Sequence, residues 1–217
     1  MTPCGVVPNT ATRRLGRPPA TNAADTRERI LRAAREVFSE LGYDAATFQA
    51  IAVRAGLTRP AINHYFAGKR ILYDKLVEST NGLLIAKAMA KANVETSLLG
   101  RLSTFIGAAM QDGSRDRSAA AFLVTSVFES LRHPELNSDE RNPLAASRAY
   151  VTWALDDAIE RGELAPETDT PTLVELLIAV MWGMGFYAGY IGGQDQTTAV
   201  AGQLRLMLAH IPSTRES

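Results

Sequence analysis

The sequence predicts an all-α protein, on three observations. Apolar residues recur at helical spacing along nearly the whole chain, no sustained alternation of strand type appears, and the helical runs are separated by capping residues, Gly and Pro. With 217 residues, of which 46% are hydrophobic, the chain is long enough to bury a sizeable core. Two parts are expected: an N-terminal three-helix unit carrying a helix-turn-helix, and a larger helical domain after it.

Residues 1–24 read as a flexible basic arm. The stretch "MTPCGVVPNTATRRLGRPPA" has no continuous apolar run and its arginines come late, so it does not read as a secretory signal. Cys4 is the single cysteine, which excludes an intrachain disulfide; a cytoplasmic location is the expectation. In "DTRERILRAAREVFSELG" the residues Ile30, Leu31, Ala34, Val37, Phe38 and Leu41 form one helical stripe. Asp25 is the expected N-cap, and Gly42 the stop.

Thr47 caps a short helix with Phe48, Ile51, Ala52 and Ala55 on its inner face, ended by Gly56. Thr58 then caps a second short helix. Pro60 fits its first turn, where no amide donor is needed, and Ile62, Tyr65 and Phe66 supply inward bulk. Two short helices joined by a Gly-containing turn, after a longer supporting helix, match the helix-turn-helix unit. On the second, Arg59 and Asn63 lie four apart on the outer face, spaced to meet a major groove, where Arg suits guanine and Asn adenine. His64, Tyr65 and Lys69 are placed for phosphates at the groove edge. Charge agrees with this division: residues 1–80 hold 12 Lys and Arg against 7 Asp and Glu, and residues 81–217 hold 11 against 16.

Further helices are expected over 69–92, 96–111, 116–132, 143–162, 170–191 and 195–210, with breaks at "DGSR", "HPELNSDERNP" and "GELAPETDTP". Residues 176–194, "LLIAVMWGMGFYAGYIGGQ", carry no charge and are nominally long enough to cross a membrane. They lack a flanking Lys/Arg cluster and turn Gly-rich, so a buried helix is expected rather than a span. Gly185 and Gly189 share one face, on which a close helix approach is expected as the seam between two subunits.

Catalytic and metal chemistry find little support. Asp156 and Asp157 are adjacent on a helix and diverge by about 100°. His64, His133 and His210 stand far apart without Cys or His companions at ligand spacing, and no phosphate-binding Gly loop follows a strand. No enzyme, metal or cofactor is expected. A helical enzyme and a single-span membrane protein remain the alternatives.

Residues 26–76 closely resemble the DNA-binding domain of TetR-type transcriptional regulators. The markers are Gly42-Tyr43, Thr47, Ile51-Ala52, Ala55-Gly56, "HYF" at residues 64–66, Lys69 and Leu72. The sequence departs from that pattern at Ala50, where an acid is frequent, and at Asn63, where a Tyr is frequent. Residues 148–166 also resemble a recurrent stretch of such regulators. The resemblance implies a DNA-binding domain over 25–68 and a ligand-binding and dimerisation domain over 69–217. It implies DNA contacts by Thr47, Gln49, Arg59, Pro60, Ala61, Asn63, His64, Tyr65 and Lys69, with Arg13, Arg14 and Arg17 of the arm available to a minor groove. It also implies a homodimer formed through residues 170–210 on a palindromic double-stranded operator, repressing until a small molecule releases it. For an apolar or amphipathic ligand the expected contacts are the bulky residues Phe105, Phe122, Phe128, Trp153, Trp182 and Phe186.

Overall fold

A computed structural model describes the backbone of residues 20–136 and 142–209, and side chains within 23–136 and 142–207. The arginines of the arm, the middle of the break before residue 142 and His210 lie outside the described residues. Within them the chain is helical, without a strand.

Helix α1 spans Ala20–Ala45. It is already helical five residues before Asp25, so Asp25 is not its cap; the Ala-rich stretch from Ala20 to Ala24 carries the helix backward at low cost. Gly42 interrupts it as expected, with φ 74 and ψ 176, a conformation open chiefly to glycine. A Cβ there would also stand 2.9 Å from the Glu129 carboxylate. Ile30, Ala33, Ala34, Val37 and Phe38 are buried, whereas Leu41 leaves the expected stripe and faces outward.

Helices α2 (Phe48–Ala55) and α3 (Arg59–Tyr65) follow the local signals. Thr47 and Thr58 accept the Ala50 and Ala61 amides at 3.1 and 3.4 Å. Gly56, at φ 64, closes α2 by donating its amide to Ala52 and Val53. Ile51, Ala52, Ile62 and Phe66 sink into the core that α1 begins. Arg29 fastens the pair from below by donating to the Ala55 carbonyl at 2.7 Å.

Helix α4 (Lys69–Asn81) runs through a π-helical turn, Gly82–Ala86, into α5 (Lys87–Ala92), a continuous rod over the expected 69–92. A domain boundary at residue 69 cuts through packed structure, because Leu72, Tyr73 and Leu76 complete the N-terminal core. The rod then enters the second domain, where Leu84 and Ile85 are buried.

That domain contains α6 (Leu98–Arg115), α7 (Arg117–Arg132), α8 (Pro143–Glu160), α9 (Thr170–Phe186, extended by a π-helical turn Tyr187–Ile191) and α10 (Gln194–Ala209). "DGSR" does not break α6. Asp112, Gly113 and Ser114 are buried against neighbours, so packing carries the helix past a polar, Gly-containing stretch. The break falls at Asp116, which caps α7 by accepting the Ala119 amide at 3.0 Å. Asn142 and Asp169 cap α8 and α9, with Pro at the first turn of each.

The charge-free helix is not the buried core helix its composition suggests. It is long and apolar enough to cross a membrane, yet only 28% of its most apolar stretch is buried within the chain. One face packs on α7 and α8, while Leu176, Phe186, Tyr190 and Ile191 remain outside.

Candidate functional site

The outer face of α3 is built for contact. Ile62 and Phe66 point into the core, which leaves Arg59, Pro60, Asn63 and His64 exposed, with Ala61 and Tyr65 half-buried at the edge. Thr47 and Gln49 are exposed at the start of α2, on the side where its amides emerge. No Asp or Glu occurs between residues 45 and 73, so nothing acidic on α2 or α3 opposes a polyanion. Among the described residues Arg59 enters no ion pair. Arg54, by contrast, is committed to Glu36 at 3.0 Å and Glu40 at 2.6 Å, which holds α2 against α1.

Lys69 has a different situation from the phosphate contact expected of it. Its ammonium donates to the carbonyls of Tyr43 at 2.8 Å and Asp44 at 3.1 Å, and lies 4.4 Å from the centroid of the Tyr43 ring. It thereby satisfies the carbonyls left open where Gly42 interrupts α1. Beside it, Arg70 donates to the Glu135 carbonyl, and His133 lies 3.2 Å from Asp44. The two domains are joined here through side chains as well as through the rod.

Phe122, on α7 of the larger domain, is the deepest joint. Its ring is fully buried in the N-terminal core, with centroids 5.5 Å from Tyr73 and 6.3 Å from Phe38. Burial, and next the charge of Glu129, push the Tyr73 hydroxyl up, so it stays neutral.

The larger domain contains a partly open, apolar cavity. Its walls come from α6 (Ile106, Ala109, Met110, Gly113), α7 (Ala120, Leu123, Val124), α9 (Met181, Trp182, Gly185), the π turn after α4 (Leu84, Ile85) and Ser147 of α8. Small residues make the room: a Cβ on Gly113 would sit 3.4 Å from that of Ala120, and one on Gly185 would sit 3.5 Å from Val124.

Of the six bulky residues expected around a ligand, Trp182 alone lines this space. Phe105 is fully buried nearby, tilted against Tyr150, and Phe122 belongs to the DNA-binding core. Phe128, Trp153 and Phe186 are about half exposed: Trp153 lies beneath Arg101, and Phe186 stacks on Tyr190. Bulk fills space rather than leaving it, so large aromatics were poor markers of a void. The residues missed were aliphatic, and the signal that marks them is the convergence of Ala109, Gly113, Ala120 and Gly185.

The close approach expected at Gly185 and Gly189 exists, but within one chain. A Cβ on Gly189 would stand 2.6 Å from the Ala121 amide nitrogen, so this face packs on α7 and not on a second subunit. The open apolar surface lies elsewhere, in a groove between α9 and α10 lined by Val180, Gly183, Met184, Val200, Leu204 and Met207. Asp157 is held by Arg101 and Arg161, which give it a structural role.

Comparison with known proteins agrees with this geometry. Residues 30–76 match the family model described as bacterial regulatory proteins, tetR family, and residues 84–204 match the tetracyclin repressor-like C-terminal domain. The HTH-type transcriptional regulator UidR of Escherichia coli is 24% identical over 164 residues, 76% of this chain and 82% of its own. The HTH-type transcriptional repressor BepR of Brucella suis is 28% identical over 181 residues, covering 74% and 79%. Among solved structures, the transcriptional regulator FadR of Bacillus subtilis in complex with stearoyl-CoA superposes with a TM-score of 0.65 at 20% identity, covering 84% of this chain and 97% of that one. With the two models accounting for both halves of the fold, the chain belongs to the TetR family of DNA-binding transcriptional regulators.

Proposed function

We propose that the protein is a cytoplasmic, homodimeric repressor that leaves its operator when a small molecule fills the cavity of the larger domain. Arg59 and Asn63 read base edges in the major groove, and Ala61 meets a thymine methyl. Thr47, Gln49, Pro60, His64 and Tyr65 contact the phosphate-sugar backbone around them. Lys69 holds the end of α1 instead of serving as a main phosphate contact. The α9/α10 groove pairs two subunits and so sets the two α3 helices about 34 to 36 Å apart, the spacing of successive major grooves. Regulation rather than turnover is the role assigned, in keeping with the regulators it resembles.

The observation that carries ligand control is the sharing of α7. Ala120, Leu123 and Val124 line the cavity, while Phe122, between them in sequence, seats its ring in the DNA-binding core. A ligand that shifts α7 by a fraction of its width disturbs both sites, and by linkage operator DNA must weaken that ligand by the same factor. Selection of bound duplexes from a random library tests the reading: a palindromic consensus supports it, and no enrichment over scrambled DNA at low salt refutes it. The dimer is tested by sedimentation of the free protein.

A further inference from the structure

We propose that the cavity takes a compact, uncharged, mainly apolar molecule bearing one hydrogen-bond acceptor, which pairs with the indole N–H of Trp182. The inference rests on reading the cavity as the effector site and names the class of effector. Among the described residues no Asp, Glu, Lys, Arg or His lines the space. A carboxylate, phosphate or ammonium entering it would give up its hydration and meet no opposite charge. The acid next in sequence to the wall, Asp112, is itself held by Lys87 at 2.9 Å.

Among the described residues two polar side chains line the space. Ser147 is fully buried and donates its single proton to the Pro143 carbonyl at 2.8 Å. Trp182 is different: its Nε1 is buried and, among the described residues, has no acceptor. An indole nitrogen can only donate, so the unmet demand of the wall is for an acceptor such as a ketone, ether or phenol oxygen. The remaining lining is aliphatic, which suits a hydrocarbon body and confers no further polar selectivity.

Three probes of nearly one shape separate these terms: 2-acetylnaphthalene, 2-ethylnaphthalene and 2-naphthoate, measured by equilibrium dialysis against the full-length protein. The ketone is expected to bind roughly threefold to tenfold tighter than the hydrocarbon, the range of one net hydrogen bond, and at least about tenfold tighter than the carboxylate. Trp182→Phe should retain hydrocarbon binding and bring the ketone-to-hydrocarbon ratio to about one. Ala109→Leu, placed in the cavity wall, should weaken all three and so separate cavity binding from surface partition. Naphthoate binding as tightly as the ketone, a ratio unchanged in Trp182→Phe, or no binding by any probe overturns the proposal. Operator affinity, read in parallel by fluorescence anisotropy, isolates the underlying reading. A ketone that binds with the stated selectivity and leaves operator affinity unchanged supports the ligand class and refutes the effector role. Naphthoate that releases the operator where the ketone does not refutes the class and keeps the role.

Discussion

Replacing Phe122 with Ala tests whether one side chain couples the two domains. The ring is fully buried between Tyr73 and Phe38, while its backbone belongs to α7. Removing a buried Phe side chain costs about 3 to 5 kcal/mol, the upper part of the range where the site cannot collapse. Here the lining is held by aromatic neighbours on α1 and α4, which favours an unrelaxed void. The loss falls on the N-terminal core, because the lost contacts belong to α1 and α4, whereas the cavity side of α7 keeps Leu123 and Val124. Hydrogen exchange read by mass spectrometry should therefore show amides of residues 30–66 opening roughly 10² to 4 × 10³ times more often, at about 1.4 kcal/mol per power of ten, while residues 143–160 change little. A domain stability of about 10 kcal/mol, the middle of the usual range, leaves the variant folded. Ligand binding should survive in it, with its effect on operator affinity reduced. Equal acceleration in both segments, or a loss below about 1 kcal/mol, would refute the assignment of Phe122 as the joint.

Three other perturbations separate the remaining roles. Arg59→Ala should cost about 1 to 3 kcal/mol on the operator and relax preference at one base pair, whereas Lys69→Met should lower the melting temperature and leave the salt slope of operator binding within about half a unit of wild type; both are read by binding across a salt series. Met207→Glu puts a charge on the rim of the α9/α10 groove, at a residue 63% exposed in the single chain, and should give helical monomers in sedimentation with operator affinity down by more than about tenfold. Asp157 accepts from Arg101 and Arg161, and the Arg101 hydrogen bond first holds its carboxyl below the usual range. The gap in melting temperature between wild type and Asp157→Asn should be full above the ordinary aspartate value of about 3.9 and close as pH falls through the depressed one; a gap that widens on acidification contradicts the pairing.

What the sequence made legible is what neighbouring residues decide. Thr47, Gly56, Thr58 and Pro60 act within one turn of themselves, so their caps and the helix-turn-helix between them can be read from spacing alone. The exposed face of α3 follows from the same local rule, since burying Ile62 and Phe66 turns Arg59 and Asn63 outward. Asp25 and "DGSR" misled for the complementary reason. The Ala-rich stretch before Asp25 extends α1 at little cost, and the breaking tendency of "DGSR", of the order of 1 kcal/mol, is less than the packing that carries α6 past it. Lys69 shows the same limit at a site, because its partners, Tyr43 and Asp44, lie 26 and 25 residues away in sequence.

The cavity and the proposed dimer surface are harder to read because each depends on what faces a residue across a gap. A Gly on a helix states that something comes close, and the cost of about 1 kcal/mol relative to Ala argues that the approach is used, but neither says whether the neighbour is the same chain or another. Gly189 meets the Ala121 backbone of its own chain, and Gly185, one turn earlier on the same face, borders the cavity because Val124 and Ala120 leave room opposite. Gly183, two residues earlier and therefore turned by about 200°, has nothing near its absent Cβ and opens on the groove between α9 and α10. The absence of charge along residues 176–194 has the same explanation. In the dimer we propose, one face of this helix packs on its own domain and the other on a second subunit, which makes it apolar all round without being an interior helix or a membrane span.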